Sequence, residues 1–326
     1  MRKVFTLLLL AVLAAGGWLA WALLIPVAPA EQKFVLLRPG YPTRRIAAEL
    51  KRAGVIRSKS AFLIWHYFHR GRSLKAGEYL FNRDANAIAI HDRIARGDIF
   101  VHTVVIPEGF TMFEIAEALQ DAGLGSSQEF LKAVQSETAL ISDLAPDAQS
   151  LEGFLFPDTY EFTRTQSMHD MVADMVKQFR QVAQQIGLNQ DVLPMVTMAS
   201  IVEKETAVPE ERPLVAGVYY NRLGKRIALQ ADPSVIYAEL LQGSYSGALH
   251  HADLEVESPY NTYRHAGLPP GPIGNPGRSS LEAAMHPAQT NFYYFVSDGD
   301  GHHRFSATLE EHNRNVAKLR KAVRGQ

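Results

Sequence analysis

An apolar run ends in two glutamates that straddle a lysine at Met198-Ala199-Ser200-Ile201-Val202-Glu203-Lys204-Glu205-Thr206. A carboxyl at the end of an apolar helix can stay protonated near neutral pH and act as a general acid. The spacing i, i+3, i+4, i+7 puts Met198, Ile201 and Glu205 on one face, with Glu203 nearer Val196, Ala199 and Ser200. Glu205 is therefore the glutamate expected to be buried. Pro209 and Pro213 stop the helix close to Glu205, where the last unpaired carbonyls concentrate partial negative charge. Desolvation and this helix end both disfavour the anion and predict a raised pKa. The competing reading is a solvated Glu-Lys-Glu helix end.

The elements that must position this pair follow from pattern. Asn189 to Asp191 offer a polar helix start with Pro194 in the first turn, and a long amphipathic helix precedes it near Met168 to Gln185. After it, Gln230 and Asp232 stand before a helix that opens at Pro233, where Asp232 could serve as N-cap. Tyr260-Asn261-Thr262-Tyr263 leads into Gly267 to Gly277, whose proline and glycine density predicts an ordered irregular loop. A helix at 280–286, strands at 292–296 and 304–306 around a turn, and a helix from Leu309 to about Val323 complete the chain. His286 is expected at a helix end and Asp158 in a turn at the wall of a cleft.

Further upstream the chain shows one internal echo. Gly40 to Gly54 (GYPTRRIAAELKRAG) matches Gly109 to Gly123 (GFTMFEIAEALQDAG). Each copy predicts a turn, a helix capped by Thr43 or Thr111 that turns Ile46, Ala47 and Leu50 or Ile115, Ala116 and Leu119 inward, and a glycine stop. Helices at 61–69 and 88–96 and strands at 75–81 and 101–106 make a small α+β module, and a helix at 127–134 falls in a polar connecting stretch.

With 326 residues, 47% of them hydrophobic and 21% charged, the chain can bury one large core or two modest ones. A net charge of -1 gives no electrostatic case for nucleic acid, which is not an expected partner. Cysteine is absent, which excludes disulfides, thiolate nucleophiles and thiolate metal sites. The pairs His250-His251 and His302-His303 lack the i, i+4 spacing of a metal motif and are expected as exposed loop residues, so no metal or cofactor is expected. Arg2 and Lys3 precede an uncharged apolar stretch from Val4 to Ile25, long enough at about 1.5 Å per residue to cross a roughly 30 Å hydrocarbon core. This predicts a single-pass anchor with its N-terminus cytoplasmic and the remainder outside. Ala28-Pro29-Ala30 resembles a signal-peptide cleavage site, but the apolar run exceeds the usual h-region.

Taken in order, Glu152 to Tyr160 (EGFLFPDTY), Met198 to Thr206 (MASIVEKET), Asn221 to Leu223 (NRL), Leu229 to Tyr237 (LQADPSVIY), Tyr260 to Tyr263 (YNTY), Gly267 to Ile273 (GLPPGPI) and His286 to Ala288 (HPA) resemble the motifs of the YceG-like (MltG) family of endolytic murein (lytic) transglycosylases. The resemblance covers nearly everything after the membrane segment. It implies an α+β fold: an N-terminal transmembrane helix at 1–30, a small LysM-like module at 31–105, a connecting region at 106–150 and a larger catalytic domain at 151–326. It also implies a bacterial inner-membrane enzyme with its catalytic domain in the periplasm, cleaving nascent peptidoglycan strands internally to leave 1,6-anhydromuramoyl ends, without cofactor.

The family's catalytic acid, the second glutamate of its EKET motif, maps onto Glu205, in agreement with the spacing argument. On that reading Gln230 and Asp232 bond to sugar hydroxyls or acetamido groups, while Tyr260, Asn261, Thr262 and Tyr263 offer aromatic faces beside amide and hydroxyl partners as a glycan subsite. Glu203 points differently from Glu205 on a helix, which favours a structural or sugar-binding role. A tethered cleaver of new strands is expected to work beside membrane-bound synthases. Two alternatives stay open: a non-catalytic cell-wall binding or assembly protein, and a hydrolase that pairs Glu205 with Asp232 or Glu203.

Overall fold

The computed structural model describes residues 1–29 and 31–324; Ala30, the last residue of the cleavage-like Ala28-Pro29-Ala30, lies outside them. The chain divides into two compact units, one of residues 1–103 and 161–166 and one of 104–160 and 167–326.

The first unit starts with α1 (Arg2–Leu24), the one helix among the described residues long and apolar enough to cross a membrane. Most of it is exposed, but Ala22 and Leu23 at its end are buried among the residues of the unit's core. Arg57 reinforces that junction, donating to the carbonyls of Ile25 and Pro26 and lying over the Trp21 ring. Next come β1 (Lys33–Leu37), α2 (Thr43–Arg52), α3 (Lys59–Phe68), β2 (Gly77–Phe81) and α4 (Ala87–Arg96). β1 and β2 pair antiparallel with Val35 opposite Tyr79, and these two side chains join Leu37, Ile46, Leu50, Phe62, Ile90 and Ile94 in the core. β1 was not anticipated, since KFVLL sits between charged residues and turn signals in a run of only five.

β3 (His102–Val105) and β4 (Thr159–Phe162), where the chain passes from one unit to the other, form a second two-stranded sheet. Within the second unit, the stretch read as a connecting region carries α5 (Met112–Asp121) and α6 (Ser127–Ser136), and α6 packs on α7 (Met168–Ile186). There follow α8 (Val192–Glu205), α9 (Arg212–Gly224), α10 (Asp232–Gln242), α11 (Arg278–Met285), a hairpin of β5 (Tyr294–Ser297) and β6 (His303–Ser306) in the register Tyr294 opposite Ser306, and α12 (Leu309–Arg324).

The internal echo is real in structure. α2 and α5 bury the expected triads, and each ends with the same pair of bonds, Gly54 to Lys51 and Val55 to Leu50 in one copy, Gly123 to Gln120 and Leu124 to Leu119 in the other. Gly54 and Gly123 both have positive φ, at 75° and 69°, which closes the helix in the left-handed region. The caps differ from expectation. Thr111 forms a full capping box with Glu114, whereas Thr43 is already helical and Pro42 stands at the N-cap without a side-chain bond. Aligned copy on copy, Thr111 falls opposite Pro42, and a proline has no side-chain oxygen with which to cap.

Candidate active site

α8 is buried on every side over its second half: Val192 and all residues from Val196 to Val202 are buried, Thr197 and Ser200 among them. It ends at Glu205, where Thr206 turns extended ahead of a short helical turn at Pro209–Glu211. Periodicity therefore does not separate the two glutamates: Glu205 is enclosed as expected, and so is Glu203. The side chain of Glu203 is only 5% exposed.

Partners separate them instead. Glu203 accepts from the buried guanidinium of Arg212 at 2.7 Å and from the Gly277 N–H at 2.9 Å. It ties the end of α8 to the start of α9 and to the proline- and glycine-rich loop, and does not line the cavity on which Glu205 opens. Glu205 accepts one hydroxyl bond, 2.6 Å from Tyr219 Oη to its Oε1, and opens on a cavity of about 340 Å³. Burial pushes its carboxyl up to about 7, helped by the nearby Asp232 charge and opposed by the Tyr219 bond. Burial also holds the Tyr219 hydroxyl well above its ordinary value, so it remains a donor.

The cavity walls come from several elements. Tyr219 and Arg222 lie three residues apart on α9 and so share a face. Arg222 donates to Gln230 Oε1 at 2.7 Å and to the Leu229 carbonyl at 2.9 Å, and its guanidinium lies over the Tyr294 ring. Gln230 has φ of +54°, a left-handed conformation that costs a non-glycine residue about 1 kcal/mol or more and is held here by its neighbours. Asp232 is exposed and accepts from the Tyr263 hydroxyl. It is the first residue of α10, with Ala231 at the N-cap, so its carboxylate is not used for capping.

Of the residues expected at the site, the structure brings Glu205, Gln230, Asp232 and Tyr263 together around this cavity. It does not bring Glu203, Tyr260, Asn261 or Thr262 there. Asn261 is fully buried and donates to the carbonyls of Leu254 and Val256. Thr262 is 1% exposed and accepts from the Ala231 N–H at 2.9 Å, while its carbonyl accepts from Gln230 N. These two residues hold the Gln230 to Asp232 segment in place and are closed to a ligand. Tyr260 packs its ring 5.1 Å from that of Tyr237 on α10.

Pattern reasoning missed Tyr219 and the whole C-terminal wall of Tyr294, Phe295, Leu309 and His312. Arg222 sat in plain view within NRL. The hairpin that carries Tyr294 and Phe295 is clamped by Glu211, which bonds to both ring and backbone of His303 and to the ring of His302. His302 is exposed as expected, but His303 is 14% exposed and structural. His312 stacks on Tyr294 at 5.2 Å, and burial lowers its pKa.

The remaining motifs build the frame behind the site. The Asn275 side chain accepts from Leu155 N–H and donates to the Phe110 carbonyl and to Glu152, which itself accepts from the Met112 N–H at the start of α5. Full burial raises Glu152 to about 7. Gly153, at φ of +87°, lies so close to Pro272 that a Cβ would approach it to 2.4 Å. EGFLFPDTY and the proline- and glycine-rich loop are thus one packed unit. Among the described residues no histidine or carboxylate cluster could hold a metal ion.

The chain is similar to known proteins over most of its length. The family model for the YceG-like family matches residues 35–318. The endolytic murein transglycosylase of Bacillus subtilis (strain 168) is 34% identical over 299 residues, covering 86% of this chain and 82% of that protein. Its namesake from Streptococcus pneumoniae serotype 2 is 31% identical over 96% of this chain, which spans only 64% of the streptococcal protein. A crystal structure of a yceG-like protein from Listeria monocytogenes superposes with a TM-score of 0.57 at 33% identity, covering 87% of this chain and 99% of that one. The chain belongs to the YceG-like family.

Proposed function

We propose that this protein is a membrane-anchored endolytic murein transglycosylase in which Glu205 acts first as acid and then as base. The observation that carries this reading is a single glutamate with a carboxyl raised to about 7, open to a polar and aromatic cavity on one side and fixed by Tyr219 on the other. Tyr219 occupies Oε1 and leaves Oε2 to present the proton. Protonated Glu205 donates to the oxygen of the N-acetylmuramoyl to N-acetylglucosamine bond as that bond breaks. The resulting carboxylate takes the proton of the muramoyl 6-hydroxyl while its oxygen bonds to the anomeric carbon, giving the 1,6-anhydro end. An acid with a pKa near the working pH serves both steps, and such catalysis contributes on the order of 10² to 10⁴ in rate.

Gln230, Asp232 and Tyr263 are the substrate contacts in this reading, with Arg222 holding the strained Gln230. α1 is the anchor, with Arg2 and Lys3 on the cytoplasmic side and both compact units outside. The burial of Ala22 and Leu23 and the bonds from Arg57 support an anchor that stays joined to the first unit. The antiparallel β1–β2 pair flanking two helices supports a LysM-like module over 31–105. Membrane-bound synthases are the natural neighbours of an enzyme so placed.

The test is mass spectrometry of glycan strands treated with the wild-type protein and with Glu205→Gln. Anhydro ends from the former and none from the latter are expected. Free reducing ends instead would convert the reading to a hydrolase, with Asp232, the other carboxylate in the cavity, as the base. Strands bound but uncut by both proteins would make it a binding protein.

A further inference from the structure

A second cavity of about 330 Å³ lies beside the first, in the same compact unit. The two share a dividing ridge. Lys204 lines one and Glu205 the other, and Pro233 lines one and Asp232 the other. Consecutive Cα atoms are about 3.8 Å apart, so a ligand seated in the first cavity is one residue's width from the second.

The chemistry of this second cavity is unlike that of the first. Phe113, Ile236, Tyr237 and Ile273 give it an apolar and aromatic floor, and Tyr245 stands at its edge. It is lined by one cation, Lys204, and two carboxylates, of which Glu114 is engaged by the Thr111 N–H and hydroxyl, leaving Lys204 and Glu117, both exposed, as its open charges. Neither Lys204 nor Glu117 has an ion pair or side-chain hydrogen bond among the described residues. The Lys204 stem passes over Gly109, where a Cβ would meet its Cδ at 3.4 Å. An ammonium left unpaired over an apolar floor, with an unpaired carboxylate on the same rim, is complementary to a short peptide bearing both a carboxylate and an amine.

We propose that this cavity receives the peptide stem of the muramoyl residue at the cleavage site, with Lys204 binding a stem carboxylate and Glu117 a stem amine. The inference rests on the transglycosylase reading, because the muramoyl sugar, which carries the stem, is the residue whose glycosidic bond Glu205 protonates. It makes Lys204, set between two glutamates in the sequence, a specificity residue with a role of its own.

The test uses the full chain in detergent micelles, with uncrosslinked strands that carry peptides and the same strands stripped of them by an amidase. Wild type is expected to favour the peptide-bearing strands in KM, and Lys204→Ala to lose about tenfold of that preference, the worth of one charge-assisted hydrogen bond. Glu117→Gln should lose part of it. Loss of the same size on both substrates, or none on either, overturns the inference. A parallel calorimetric titration of Glu205→Gln with N-acetylmuramoyl tetrapeptide and with N-acetylmuramic acid reads the cavity without catalysis. Binding of the peptide form weakened about tenfold by adding Lys204→Ala supports the inference even if no anhydro ends form, and equal binding of both ligands refutes it. Absence of anhydro ends from the wild type refutes only the transglycosylase reading.

Discussion

Replacing Glu205 by glutamine should stop catalysis and stabilise the protein, and the gain should depend on pH. The Glu205 carboxyl sits at about 7 against an ordinary 4.5. A raised carboxyl binds its proton more tightly in the folded state, so its effect on stability is nil well below 4.5. The folded state is then progressively penalised as pH rises from 4.5 to 7, and the penalty is constant above that. At pH 8 it amounts to about 3 kcal/mol, and at pH 5 to less than about 1 kcal/mol. Glutamine carries no proton to lose, and its amide oxygen can still accept from Tyr219. Glu152 contributes a penalty of the same sign but is present in both proteins and cancels in the difference. Because the three tryptophans lie at 18, 21 and 65, outside the second unit, fluorescence would read the wrong part of the chain. Hydrogen exchange of peptides from α8 reads the right one. At pH 8 the variant should exchange about two orders of magnitude more slowly than wild type, and at pH 5 only a few-fold more slowly. An equal difference at both pH values would refute a carboxyl raised by burial, and with it the acid role assigned to this side chain.

The same pKa predicts that kcat/KM for strand cleavage falls about tenfold per pH unit above 7, as the free enzyme loses the proton it must donate; a flat profile to pH 9 contradicts it. Tyr219→Phe removes the bond that opposes the rise, so the falling limb should move to higher pH, and a pH–rate profile of that variant reads the shift directly. Glu203→Ala should leave buried Arg212 with only its longer contact to the half-exposed Glu108, at 3.5 Å, and cost about 3 kcal/mol, seen as a lowered thermal midpoint. Gly153→Ala forces a Cβ against Pro272 at a positive φ, with an expected loss of about 2 to 4 kcal/mol in chemical denaturation.

The helices of this chain were legible because their signals are local. α4, α6 and α7 carry side-chain N-caps, α4 and α7 end at left-handed glycines, and an amphipathic stripe runs along each, all within one window of sequence. The units were less so. The stretch 161–166 belongs with the first unit although some sixty residues separate it from Thr103, and Arg164 reaches Glu78 there at 2.9 Å. No local pattern carries such a return.

The site shows the same division. Spacing singled out Glu205 for burial, yet α8 is buried all round and both of its glutamates are enclosed, because periodicity describes one stripe and a fully packed helix has none. The difference between the two carboxylates was written on α9. Arg212, Tyr219 and Arg222 stand at i, i+7 and i+10, a polar row on a helix whose Val215, Ala216 and Val218 are buried. Its first member neutralises Glu203, its second holds Glu205, and its third fixes Gln230. A polar row on a helix that must be buried needs partners. Burial raises both glutamates that end the helix just before it, but the guanidinium pairs with one and opposes the rise, while the weaker hydroxyl leaves the other free to keep its proton. The assignment of acid and structural carboxylate thus follows from which of the two faces an arginine and which a tyrosine. That comparison needs both helices, and neither read alone contains it.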